Sequence, residues 1–199
     1  MDIATIIIIS ICLIIAITIH EFSHAFIADH FGDPTPRAHG RVSLNPLRHL
    51  DPLGTLMLLI FHFGWGKPVP IDPYNLSKKE EAAVSLAGPG SNIILAILTA
   101  IIVHFLSVTP VIANIVFYFI YVNLTLAVFN LIPIPPLDGS KLFLNLLPEH
   151  QAVEWEKTFN QYGFIILAAL LFLPVGGSNI INLIISPIIN FLLRLLLGS

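Results

Sequence analysis

Residues 3–24 read IATIIIISICLIIAITIHEFSH, an apolar run without Pro or Gly that closes on His20-Glu21-Phe22-Ser23-His24. A helix needs about 20 apolar residues to cross a bilayer, and this run supplies them. Isoleucine is a poor helix former in water, but in lipid the backbone must satisfy its own hydrogen bonds, which overrides that preference. Met1-Asp2-Ile3 offers no positive n-region, and no small-residue cleavage site follows. The segment therefore reads as a retained membrane helix from Ile3 to about Phe31, not a signal peptide.

Composition extends the reading to the whole chain. Of 199 residues, 56% are hydrophobic and only 11% charged, against about 25% charged in soluble domains. Mean hydropathy is +0.88. The net charge of −3 comes with few, scattered Lys and Arg, so no basic surface for nucleic acid is present. The single cysteine, Cys12, sits in the apolar run and reads as a small buried residue.

A hydrophilic stretch follows from Gly32 to Pro52, in which Gly40–Leu44 reads as a short strand. Leu53–Phe63 is apolar but too short to span, and suits a re-entrant or interfacial helix. Lys67–Ile71, with two prolines, reads as extended and suited to lie beside 40–44. Ser77 and Glu80 form a capping-box pattern opening a helix to about Ser107. Pro110–Leu131 is another span. NLIPIPPLDG at 130–139 cannot be regular helix, and such backbone survives at membrane depth only when buried in protein or lining a cavity. Lys141–Asn160 is polar. Tyr162–Leu173 and Ile180–Leu193 are two further apolar segments around Pro174–Ser178. The expected fold is an all-α polytopic membrane protein: about five spanning helices, one short re-entrant or interfacial helix, and a small β element between the first two long helices. Residues 1–199 are expected to form a single membrane-embedded domain without an appended soluble module.

The positive-inside rule orients these spans. Arg37, Arg41, Arg48, Lys67, Lys78 and Lys79 lie between the first two long helices, Lys141 and Lys157 follow the third span, and Arg194 lies near the end. The arrangement that fits places the N-terminus outside, 32–80 and 132–160 inside, 107–110 and 174–178 outside, and the C-terminus in the cytoplasm.

His20-Glu21-Phe22-Ser23-His24 is H-E-x-x-H on a helix. Residues i and i+4 share a face, so two imidazoles can hold one Zn²⁺. Glu21 is placed to take a proton from metal-activated water and pass it to a leaving amine, not to ligate. A solvated helix face also carries this pattern by chance, but ionisable residues continuing a membrane run are costly and need a purpose. A catalytic zinc needs a third protein ligand and an open position. Asp138, after the proline-rich break, is the best candidate. Capping a helix over 139–147 is its alternative role.

Three motifs together resemble the site-2 protease family of intramembrane zinc metalloproteases, peptidase family M50: H-E-F-S-H at 20–24, A-G-P-G-S-N at 87–92 and N-L-I-P-I-P-P-L-D-G at 130–139. G-R-V-S-L-N-P at 40–46 and G-K-P-V-P at 66–70 point to its short, single-domain branch, without PDZ or CBS domains. The resemblance covers roughly residues 10–150. It implies Asp138 as third ligand beside His20 and His24, one zinc per chain, and cleavage of peptide bonds within or near transmembrane segments of other membrane proteins. It implies an active site toward the cytosolic side. The charge pattern independently puts His24 near the inner face, since Asp2 to His20 spans about 27 Å of a core about 30 Å thick. Asn130 matches the family's asparagine and could bind the oxyanion or substrate backbone; Asn92 could do the same or pack between helices. The 40–44 and 67–71 segments resemble the family's membrane-associated sheet, an edge onto which an unwound substrate could add. The resemblance leaves room for a homo-oligomer or a regulatory membrane partner.

Two other classes compete. A zinc- or proton-coupled transporter would carry polar residues along several spans toward both faces, whereas here they gather toward one. A catalytically dead scaffold has no need of an intact His20, Glu21, His24 and Asp138. The remaining histidines share no ligand spacing; His49 and His62 read as interfacial polar residues, with metal binding in an inhibited form as the alternative.

Overall fold

The computed structural model describes residues 2–54 and 65–198. Helix α1 runs Ile3–His30, opened by the Asp2 carboxylate accepting from Thr5 N–H at 2.8 Å, and Gly32, at φ +100°, turns the chain away from its end. A single turn, α2 (Thr35–Ala38), follows. Helix α3 is Lys78–His104, and its expected start is present in full: Glu80 N–H donates to Ser77 Oγ while Ser77 N–H donates to the Glu80 carboxylate. Helix α4 is Pro110–Asn130, with Thr109 as cap. Residues 131–137 are non-helical. Helices α5 (Asp138–Leu146) and α6 (Glu149–Phe172) follow. A hairpin of β1 (Pro174–Val175) and β2 (Ser178–Asn179) then leads to α7 (Ile180–Leu197). Gly176 and Gly177 both have positive φ, as a two-residue hairpin turn of this hand requires.

Helices α1, α3 and α4 pack mutually, with α7 against α3 and α4 and α5 against α3. One apolar core joins Ala96 and Ala100 of α3, Ile120 and Leu124 of α4, and Ile181, Ile185, Ile189 and Leu193 of α7. A second joins Cys12 and Ala16 of α1 to Val122 of α4. Alanines at these crossings let the backbones approach, which matters where lipid gives helices no hydrophobic reason to associate. The outward faces are apolar: Ile3, Ile7, Ile11 and Ile15 form an exposed stripe four residues apart along α1. Among the described residues, four helices are long and apolar enough to cross a membrane: α1, α3, α4 and α7.

Three expectations are revised or left aside. Residues 40–44 are not a strand: Arg41 N–H donates to Pro36 O and Ser43 N–H to Arg41 O, so local turns consume the groups a ladder would need. Among the described residues, the β contact between the first two long helices is one antiparallel bridge, Leu50 to Gly66, with Lys67 N–H donating to His49 O. Second, Tyr162–Leu173 is not a separate helix but the apolar end of α6, continuous with the polar stretch from Glu149. Its eleven helical residues rise about 16 Å, half a bilayer core. Helix α7 runs parallel to α3: Leu195 and Leu196 line a cleft with His104 and Phe105. The C-terminal end of α7 thus lies at the same end of the bundle as the 107–110 connection, not at the opposite end as expected. Third, the expected re-entrant helix at Leu53–Phe63, like His62, falls mostly outside the described residues.

Candidate metal centre

His20 and His24 project from the polar end of α1 and are buried. The third side chain arrives from the loop after α4. Its backbone folds back on itself, with Ile134 N–H donating to Ile132 O and Leu137 N–H to Ile134 O. A Cβ on Gly139 would lie 2.3 Å from Leu131 O, so this fold needs the glycine of the D-G pair. Leu137, not Asp138, occupies the cap position of α5. Asp138 is thereby released from the capping role and faces the histidines: its Oδ2 lies 3.1 Å from Nε2 of His20 and 3.1 Å from Nε2 of His24. Among the described residues these three side chains form the one group of its kind able to hold a metal ion.

The tautomers follow from the outer partners. His24 Nδ1–H donates to Val84 O at 2.7 Å. His20 Nδ1 lies 2.7 Å from Asn92 Oδ1. The Asn92 amide cannot be reversed, because its Nδ2 donates to Ala16 O and to Asn123 Oδ1, and Asn123 in turn donates to Phe119 O. Asn92 therefore accepts from His20. Both imidazoles present a lone pair at Nε2, 3.2 Å apart, toward one carboxylate oxygen. Three electron-rich atoms so placed need positive charge between them. Two nitrogens and one oxygen suit zinc with a position left open, and a hydrogen bond on the far nitrogen of each imidazole is the usual support of such ligands.

Gly88 completes the centre and escaped the sequence reading. A Cβ there would lie 2.3 Å from His24 Nε2 and 2.6 Å from His20 Nε2. The small-residue motif at 87–92 contained the signal, but only the packing of α3 on α1 tells Gly88 from Gly90, whose added Cβ would meet nothing within 4 Å among the described residues. Of the asparagines, Asn92 is wholly buried and accepts from His20 Nδ1–H. Asn130 donates to Leu126 O of its own helix at 2.9 Å, and no bond brings it to the ligands.

Glu21 stands outside the ligand group, beside the Gly66 backbone, with its Oε2 3.9 Å from Nη2 of Arg41. His49 is wholly buried, donates through Nε2 to Ser43 O at 2.6 Å and takes no part in the metal group. Burial holds its pKa below the ordinary imidazole value, against the raising effect of the Ser43 carbonyl.

A bundle of apolar helices that gathers two buried histidines and a carboxylate at one end, with a glutamate beside them, has the donor set of a membrane metallohydrolase. The sequence profile of peptidase family M50 matches residues 107–174, a span that includes Asp138. The Bacillus subtilis protein named "Putative zinc metalloprotease YwhC" is 37% identical over 178 residues, covering 84% of this chain and 81% of that protein. The Mycolicibacterium smegmatis protein "Putative zinc metalloprotease Rip2" is 35% identical over 81% of this chain, which covers 65% of it. No solved structure matches the chain. The chain belongs to peptidase family M50 and is a membrane metalloprotease.

Proposed function

We propose that the protein is a site-2 type intramembrane protease that hydrolyses peptide bonds within or near transmembrane segments of other membrane proteins. The convergence of His20, His24 and Asp138 at the polar end of a membrane helix, with Glu21 beside them, carries this reading. His20, His24 and Asp138 would hold one zinc ion per chain. When bound, zinc supplies Lewis-acid polarisation and makes water acidic enough to attack at neutral pH.

The chain's own residues supply the rest. Asn92 and Val84 O hold the two imidazoles in the ligating tautomer. Glu21 is the general base: it takes a proton from the attacking water and returns it to the leaving amine. Asp138, with its side chain 20% exposed, is the most accessible of the three. Asn130 spends one amide hydrogen on Leu126 O, and its second suits a substrate carbonyl or the developing oxyanion. Six of the nine Lys and Arg residues lie between the end of α1 and the first turn of α3, beside the metal centre, and Lys141 follows Asp138 in the first turn of α5. By the positive-inside rule the metal-centre end faces the cytoplasm.

The test is Glu21→Gln in the purified protein with a transmembrane-peptide substrate. Zinc content should stay at the wild-type level while cleavage is lost. Cleavage at the wild-type rate would overturn the assignment of the base.

A further inference from the structure

Arg41 takes no part in the chemistry above, yet it is only 4% exposed. Its Nη2 donates to the Lys67 carbonyl and approaches Glu21 Oε2 to 3.9 Å, while its Nε has no hydrogen-bond partner among the described residues. A buried guanidinium this loosely paired is costly, and an apolar side chain would fill the space more cheaply. Its charge needs a reason, and its charged neighbour is Glu21.

The backbone on the far side of Glu21 supplies that reason. The chain at Gly66 lies so close to α1 that a Cβ there would come within 3.3 Å of Glu21 Oε1 and 2.7 Å of Ile17 Cγ2. Lys67 N–H donates to His49 O at 2.7 Å, and Leu50 bridges Gly66. The loop that carries Arg41 is tied down by His49, which donates to Ser43 O. The Glu21 carboxylate is therefore flanked by an extended backbone and by a guanidinium that bonds that same backbone. One nitrogen, Nη2, faces both the Lys67 carbonyl and the Glu21 carboxylate, so a lysine ammonium keeps the charge but not the reach and orientation of the guanidinium.

We propose that Arg41 is a positioning residue for the proteolytic reaction, holding the Glu21 carboxylate and the Gly66–Lys67 backbone in one register beside the metal centre. The inference rests on Glu21 being the base. Arg41 acts through Glu21 and Lys67 and does not belong to the metal group, so its loss should affect turnover and leave metal binding intact.

The experiment compares wild type, Arg41→Gln, Arg41→Lys and Glu21→Gln as full-length protein with a transmembrane-peptide substrate, measuring kcat, KM and zinc content. Misplacing a catalytic group by about 1 Å costs up to about 100-fold. Arg41→Gln should lower kcat by about 10- to 100-fold with full zinc content and a smaller change in KM, and Arg41→Lys should recover part of the loss. A kcat within about twofold of wild type in Arg41→Gln, well inside that range, would overturn the proposal. So would a loss of zinc in step with the loss of cleavage, which would mark a merely structural role. Should Arg41→Gln fail to fold, Arg41→Lys decides: lowered kcat with faster amide exchange over residues 66–70 supports the register, and wild-type values of both refute it. Cleavage by Glu21→Gln would instead refute the base, whatever the Arg41 variants do.

Discussion

Asn92 Oδ1 sits 2.7 Å from Nδ1 of His20, across 72 residues of sequence and between two different helices. The bond selects which nitrogen of His20 is left to bind metal. It works only because Asn92 is itself held by Ala16 O and Asn123. Asn92→Leu should therefore weaken zinc binding by about 10- to 100-fold, the usual effect of losing such a partner. Competition with a chelator of known affinity measures this directly, and an unchanged zinc affinity would remove Asn92 from the metal centre.

Gly88→Ala should be far more severe, because its Cβ would lie 2.3 Å from one ligating nitrogen and 2.6 Å from the other. The expected result is loss of zinc and of cleavage together. Gly90→Ala, on the same helix with open space around it, is the control. It should keep both activities and gain about 0.5–1 kcal/mol in helix stability. Equal behaviour of the two variants would mean that α3 does not approach the histidines as described.

Asp33 gives the fold a pH dependence away from the metal. It is wholly buried, and its carboxylate accepts from Thr35 N–H and Oγ1–H, Asp72 N–H and Asn75 Nδ2, tying the loop after α1 to the loop before α3. Burial opposes its ionised form, but these donors together hold its pKa below the ordinary carboxylate value. A carboxylate depressed in this way contributes stability that is present above its unfolded pKa, about 3.9, and is lost as pH falls through the lower folded value. Thermal melts of Asp33→Asn in detergent should show a lower Tm at neutral pH and a smaller loss of Tm on acidification than wild type. Parallel curves would place the acid sensitivity elsewhere.

The topology is open to direct labelling. Cysteines introduced at positions 107 and 198 should react with an impermeant reagent from one side of the membrane, and a cysteine at 150 from the other. Native Cys12 is buried and adds little background. Labelling of 198 together with 150 would restore a fifth crossing and contradict the parallel packing of α7 on α3.

What could be read without the structure was local. His20 and His24 share a face because four residues make about one helical turn. The Ser77–Glu80 capping box and the helix break at 131–137 likewise depend on residues only a few positions apart. Its place after that break makes Asp138 a candidate ligand, with helix capping as the alternative. In the fold Leu137 takes the cap position and the Asp138 carboxylate lies beside the two histidines.

The sequence by itself determined a membrane protein of apolar helices, the two histidines with the glutamate beside them, and the irregular segment that bears the aspartate, since hydropathy and backbone preference act over short stretches of chain. Only the tertiary structure decided that Gly88 packs against the two histidines, that Asn92 accepts from His20, that residues 40–44 turn instead of pairing, and that α7 lies parallel to α3. Each of these depends on which surfaces of distant segments meet. That is settled by close packing and by the need to pair every buried polar group, and neither is written in any one stretch of residues.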